Sequence, residues 1–427
     1  MMELKRQIVF LSVFILTTAS VYAKGVSLIV VENHNKIAAC NTATIGCIIK
    51  TAGYYQSGDE GDAEYNVIAN DGKYKIDGNY IIKLRNGLLA KMNAKDGYIN
   101  IKSFGCKTQE EDSCFDNTTL FQNVVDVATS LSYAVFVPVG DFLMNGTVYL
   151  PTATKIIGYH GYTFRKSSRL VQTAQPSSAE DNKVMFKGVN GDALRHIVVE
   201  GVTFLRDRTK EERSIYNNGE GYGLKSTVFG PSTELSLTNC GFIGWGHCYD
   251  QAAILFSIRT DYAYCDNILY SKSGNSSSVV IQDANIWCCG HLVRLNRYAC
   301  SSIIFSNCWM EGLQSLLLAD NSARMENMSF TGCTISPLSY GANHYLIQYP
   351  QKPTWNIVEV SFSQCLINVP GKISTDITPM GYKINFTDCS VHYTGEGESI
   401  MANENNSSFW DGHKDKVTNK VRLRNKK

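Results

Sequence analysis

Two Gly-His pairs stand 44 residues apart, Gly246-His247 and Gly290-His291, and a charged residue follows each three positions later, Asp250 and Arg294. Arginine beside histidine suits β-elimination, in which a cation neutralises a uronate carboxylate while a base removes the adjacent proton. Glycoside hydrolysis is the other chemistry within reach. It needs two carboxyl groups about 5 to 9.5 Å apart, and Asp250 with Glu311 is the candidate pair. Asp261, Asp266 and Asp320 are substitutes, and Asp320 is also a candidate for holding substrate. His247, Trp245 and Trp309 are further substrate-holding candidates. Each has a plainer reading: Glu311 as a solvated acid after a strand, the histidines as surface ladder residues, and Trp245, Trp287 and Trp309 as packing. No tight Asp cluster for calcium stands out, so no cofactor is expected unless elimination recruits calcium.

Residues this far apart need a scaffold that sets them side by side, and a repeat supplies one. Seven octets align: IVVEGVTF (Ile197 to Phe204), LSLTNCGF (Leu235 to Phe242), VVIQDANI (Val279 to Ile286), IIFSNCWM (Ile303 to Met310), MSFTGCTI (Met328 to Ile335), VSFSQCLI (Val360 to Ile367) and INFTDCSV (Ile384 to Val391). The first, third and eighth columns are apolar throughout and the fourth is polar. The fifth reads Gly201, Asn239, Asp283, Asn307, Gly332, Gln364 and Asp388, a set that tolerates left-handed backbone, so Asp283 and Asp388 are structural. Alternation up to a corner, then one more inward residue, describes two short strands joined by a sharp bend. Corner spacings of 38, 44, 24, 25, 32 and 24 residues give a coil of about 24 residues with insertions. His247 then lies near His291, Asp250 near Arg294, and Ser315 follows in the next coil. If the 44-residue interval hides an extra coil around Tyr264 to Tyr270, the pairs are two rungs apart.

The column after the corner contains Cys240, Cys308, Cys333, Cys365 and Cys389, a ladder of small buried thiols whose parallel Cβ vectors suit disulfide geometry poorly. Cys40 with Cys47, and Cys106 with Cys114, instead close short polar loops and are expected as disulfides, with zinc as the lesser alternative. Cys248, Cys265, Cys288, Cys289 and Cys300 have no assignment. Lys5 and Arg6 precede the apolar run Ile8 to Leu16, and Val21-Tyr22-Ala23 offers a cleavage site, so residues 1–23 read as a signal peptide and the mature chain as secreted or periplasmic. A net charge of +1 supplies no basic excess for nucleic acid, and no apolar run is long enough to span a bilayer.

Ahead of the coils, Leu120, Phe121, Val124, Val125, Ala128 and Leu131 share one helical face over residues 116–132, with Asp116 as N-cap; the helix is expected to cap the open end of the solenoid. A strand pair, Ala134 to Pro138 and Gly146 to Leu150, is expected next. Here the run from Tyr98 through Lys107, DNTTLFQNVV, AVFVPVGDFLMNGTVYLP and KIIGYHG resembles the opening of the pectate-lyase-like right-handed parallel β-helix shared by phage tailspikes and polysaccharide depolymerases. TAGYYQSGDEGDAEYNVI (Thr51 to Ile68) resembles the small β-rich segment that often precedes it. The family's Gly-Asp-Gly stretch is replaced by Lys107 to Ser113 between two cysteines. A signal peptide is foreign to a virion tailspike, so the chain looks like an exported bacterial relative.

The expected fold is all-β: signal peptide 1–23, β-rich segment 24–97, right-handed parallel β-helix 98–410 with its capping α-helix, and tail 411–427. The last fifteen residues hold seven Lys or Arg against one Asp and are expected to be solvated. The resemblance implies a polysaccharide substrate or ligand, a groove along one parallel sheet and a homotrimer, although the chain ends soon after the last rung. The competing reading is a secreted solenoid that binds glycan without cutting it.

Overall fold

The corner residues are where the chain bends. The computed structural model describes residues 27–424 except 95, 160–165, 174–182, 207–225, 273, 297, 320–322, 338–344, 349–357, 370–371, 375–381 and 394–420. Gly201, Asn239, Asp283, Asn307, Gly332, Gln364 and Asp388 all adopt φ between 52° and 70°. Each separates a strand of one parallel sheet (sheet 1, Ala134–Val137 through Tyr382–Thr387) from a strand of a second (sheet 2, Gly140–Met144 through Val421–Arg424). A third parallel sheet (sheet 3, Val148–Leu150 through Lys372–Ser374) completes each coil. The result is the expected right-handed parallel β-helix.

Like residues stack along the axis. Phe305, Phe330, Phe362 and Phe386, from the third column, have ring centroids 5.1, 5.0 and 5.0 Å apart and nearly parallel planes, close to the rung spacing of about 4.8 Å. The thiols of Cys240, Cys308, Cys333, Cys365 and Cys389 are free and buried. Each points at the carbonyl two residues back, with Cys308 Sγ 3.3 Å from Ser306 O and Cys365 Sγ 3.2 Å from Ser363 O. Burial pushes the Cys240 thiol up to about 12, so it is inert at neutral pH.

A second corner, between sheets 2 and 3, escapes the sequence pattern. Gly244, Tyr264, Cys288 and Gly312 occupy it with φ between 48° and 80°, and Tyr and Cys are not residues that announce left-handed backbone. Trp245, Cys265, Cys289 and Leu313 follow it, all buried, which accounts for two of the unassigned cysteines. Cys288 is the corner itself, Cys248 lies in a sheet 3 strand and Cys300 in a sheet 1 strand.

The 44-residue interval holds a complete extra coil: Leu255–Ile258 in sheet 1, Asp261–Ala263 in sheet 2 and Asn267–Ser271 in sheet 3, with Arg259 at the first corner (φ 51°). Its octet, Leu255 to Tyr262, breaks the pattern because Ser257 takes an inward apolar position. The hydroxyl is tolerated there because it lies 2.7 Å from Tyr262 OH, which lies 2.9 Å from Tyr249 OH; a buried polar network with every member paired carries no desolvation penalty for an orphan.

The helix spans Thr118–Ser130 and buries Phe121, Val124, Val125 and Ala128, while Leu120 and Leu131 are half-buried. Gln122 presents its amide to the first strand of sheet 3, donating to Tyr149 O (2.8 Å) and accepting from Tyr149 N (2.7 Å), so the helix closes an open sheet edge. The cap residue is Asn117 rather than Asp116. Asp116 instead accepts from Thr118 N and Asn145 N, which ties the first turn to the following loop. The expected strand pair is the first coil, three strands (Ala134–Val137, Gly140–Met144, Val148–Leu150) in three different sheets.

The chain divides into two units, 1–106 and 107–427. The first carries a five-stranded sheet in the order Leu28–Val31, Ile48–Thr51, Glu64–Ile68, Leu89–Met92, Ile81–Lys83, built on Ile49, Tyr65, Val67 and Leu89. Asn100 Nδ2 donates to Glu60 O and Ser103 Oγ to Asp62 O, tying 100–103 to this unit. The expected disulfides are absent: Cys40, Cys47, Cys106 and Cys114 are free. Cys47 Sγ instead lies 3.0 Å from Thr44 Oγ1 and Cys40 Sγ 3.7 Å from Lys36 O, while Cys106 is buried and Cys114 exposed. Four residues of the basic tail are structured, Val421–Arg424 pairing in parallel with Cys389–Tyr393. The signal segment 1–23 and the rest of the tail lie outside the described residues. Among the described residues no helix is long and apolar enough to cross a membrane.

Candidate functional site

The extra coil rearranges the expected site. In sheet 3 the register runs His247, Asn267, His291, Ser315 in one column and Tyr270, Arg294, Leu318, Gln348 in another. His247 and His291 are therefore two rungs apart, and Asn267 stands between them. Asn267 Nδ2 lies 3.0 Å from His247 Nδ1; an amide N–H can only donate, so that nitrogen accepts and the imidazole carries its proton on Nε2. His291 Nδ1 lies 2.6 Å from Ser315 Oγ. In the tautomer whose Nδ1–H donates to that hydroxyl, Nε2 of His291 keeps its lone pair.

Tyr270, contributed by the coil that the octet pattern misses, is the centre of the cluster. Its ring centroid is 4.4 Å from that of His247 and 5.0 Å from the Arg294 guanidinium carbon, and Asn296 Nδ2 donates to its hydroxyl (3.3 Å). The phenol thereby keeps its own proton to give. Burial holds both imidazoles down to about 3, reinforced by Arg294 for each and by Lys272 for His247, so both are neutral at physiological pH. Among the described residues no carboxylate pairs with Arg294.

The other candidates disperse. Asp250 lies in the coil cornered by Asn239 and Glu311 in that cornered by Asn307, three rungs apart, or about 14 Å along the axis at about 4.8 Å per rung. They also lie by different sheets, Asp250 after His247–Tyr249 of sheet 3 and Glu311 within Trp309–Leu313 of sheet 2. The two are not a hydrolytic pair. Asp250 and Asp266 are only 8% and 5% exposed, and Asp261 accepts from Asn285 Nδ2 on sheet 2. Trp245 is fully buried, its Nε1 donating to Phe204 O (2.9 Å), so it packs the core and cannot stack on a sugar. Trp309 is 53% exposed. Asp320 lies outside the described residues. Among the described residues no group of three or more His, Cys, Asp or Glu is placed to hold a metal ion.

Two neutral buried histidines make stability pH-dependent. Their pKa is lower in the folded chain than the 6.5 of an unperturbed imidazole, so as pH falls the unfolded state takes up protons first, and stability is lost between about 6.5 and about 3. The loss is about 1.4 kcal/mol for each unit separating the two states. Thermal melts from pH 7 to pH 4 are expected to show a steep fall in Tm that the His247→Asn/His291→Asn variant flattens; parallel curves would show that carboxylates carry the whole dependence.

Fold and site define a class: a right-handed parallel β-helix with a cationic, aromatic cluster on its third sheet. No family model matches the sequence and no curated protein matches it. Solved structures match by fold. The tailspike protein of Acinetobacter phage vB_ApiP_P1 aligns over 95% of this chain and 71% of its own, with TM-score 0.57 and 15% identity. The tailspike of Acinetobacter baumannii phage AM24 aligns over 87% and 66% (TM-score 0.54, 10% identity). Pantoea stewartii WceF, described as a glycan biofilm modifying enzyme with a tailspike-like parallel β-helix, aligns over 81% and 48% (TM-score 0.53, 12% identity). The chain thus spans about half the length of WceF and about two thirds of the phage AM24 tailspike.

Proposed function

We propose that the chain acts on an acidic polysaccharide laid along sheet 3 and cleaves it by β-elimination. The observation that carries this reading is Arg294 over the Tyr270 ring, with neutral His291 three residues before Arg294 in the same strand. Arg294 pairs with the uronate carboxylate, which acidifies the proton on the adjacent carbon. His291 Nε2 takes that proton, the bond from C4 to the glycosidic oxygen breaks, and the Tyr270 hydroxyl protonates the departing oxygen, leaving a C4–C5 double bond. The name of one structural neighbour, WceF, describes a glycan biofilm modifying enzyme and agrees with a glycan substrate. The expected signal peptide would place the activity outside the cytoplasm.

The test is incubation with capsular, exopolysaccharide and pectic polymers, following unsaturated-product absorbance and reducing ends together. Both signals rising in step is the expected result. Reducing ends without unsaturation would mean hydrolysis and overturn the mechanism. Silence with glycan binding retained would leave a carbohydrate-binding solenoid.

A further inference from the structure

The outer face of sheet 2 carries a second cluster that the elimination site does not use. Over four rungs its two outward columns run Asp261, Asn285, Trp309, Thr334 and Ala263, Trp287, Glu311, Ser336. Trp309 is 53% exposed and Trp287 half-buried. They sit diagonally, one rung and two residues apart, about 8 Å between backbones by strand geometry. Polar groups flank both rings: Trp309 Nε1 lies 3.4 Å from Glu311 Oε2, and Asn285 Nδ2 donates to Asp261 Oδ1 (2.9 Å).

Apolar ring faces edged by carboxylate acceptors and an amide suit a ligand with C–H faces and many hydroxyl donors. The charge decides which such ligand. These eight positions hold two carboxylates and no Lys or Arg, so a polyanion is repelled here, whereas Arg294 on sheet 3 attracts one. Trp287 also lies only four residues before His291, in the same coil, so the two faces adjoin around the corner at Cys288.

We infer that the Trp287–Trp309 face of sheet 2 is a second glycan-holding surface, one that takes uncharged sugar residues. The inference rests on the reading that the ligand is a glycan, and it extends that ligand to a heteropolysaccharide whose acidic residue meets sheet 3 while its neutral residues lie on sheet 2.

Affinity electrophoresis tests it, in gels cast with dextran, galactomannan or polygalacturonate. The chain is expected to be retarded by at least one neutral polymer. Trp309→Ala should weaken that retention five- to tenfold and Glu311→Gln by a smaller factor, with thermal melts confirming folding. Arg294→Ala should keep neutral retention while losing the polygalacturonate response. Phe256→Ala, which removes a comparably exposed ring (44%) from the outer face of sheet 1, should change nothing. No neutral retention in the unmodified chain, retention indifferent to Trp309, or an equal loss in Phe256→Ala overturns the inference. Trp309-dependent neutral retention without any unsaturated product would instead sustain this surface and remove the elimination chemistry.

Discussion

Arg294→Ala is expected to lower kcat/KM for an acidic polymer by on the order of 10²–10³-fold, the size seen when one positioned group that meets developing charge is removed. The guanidinium is the cation over Tyr270, and it also helps hold His247 and His291 neutral. Its loss should therefore act twice: substrate carboxylate goes unpaired, and both imidazoles take up protons at higher pH than in the parent. The acid limb of the pH–rate profile should move upward along with the loss of rate. Arg294→Lys keeps the charge without the planar fork and is expected to fall between. Rates within threefold of the parent for Arg294→Ala, on a substrate the parent cleaves, would remove Arg294 from the chemistry.

Asn117→Ala is expected to cost about 3–5 kcal/mol of stability, measured as the shift in denaturant midpoint at unchanged slope. Asn117 is fully buried and uses its whole amide: Oδ1 accepts from Lys107 N (2.8 Å), and Nδ2 donates to Lys107 O (3.0 Å) and Leu143 O (3.1 Å). Alanine removes this partner from the Lys107 amide and carbonyl, while Leu143 O keeps the Asn117 backbone N–H (2.9 Å), and each buried polar group left unpaired costs about 1–3 kcal/mol. The clamp holds the loop after residue 107, the start of the helix and the first strand of sheet 2 in one place. Asp116→Asn retains a side-chain oxygen able to accept from Thr118 N and should cost under about 1 kcal/mol. A change below about 1 kcal/mol for Asn117→Ala would show that water replaces the amide.

Asn117 also shows where sequence reasoning stops. Asp116 and Asn117 are both good capping residues, and only the approach of Leu143, from a strand 26 residues away, decides that Asn117 is the buried clamp. The same limit applied to the cysteines. A short loop between Cys40 and Cys47 says the ends can meet, but Thr44 holds the Cys47 sulfur, a contact set by how the loop folds.

What the sequence determined by itself was the coil. Its signals are local: residues tolerant of left-handed backbone at each corner, apolar side chains at fixed offsets around it, and a thiol that satisfies the carbonyl two residues back. Each follows from backbone sterics and strand alternation within eight residues, so one chain displays them without its neighbours. The site was a different matter. Tyr270 and Asn267 belong to a coil whose octet violates the pattern, because Ser257 is paired inside the core by Tyr262 and Tyr249, and no residue within the octet announces Tyr249. Placing that coil moved His247 from beside His291 to two rungs away, put Tyr270 against Arg294 and separated Asp250 from Glu311. In a parallel solenoid chemistry arises between rungs, and rung register depends on the count of coils; the tertiary structure alone supplies that count, because the partners that stabilise an irregular coil come from elsewhere in the chain.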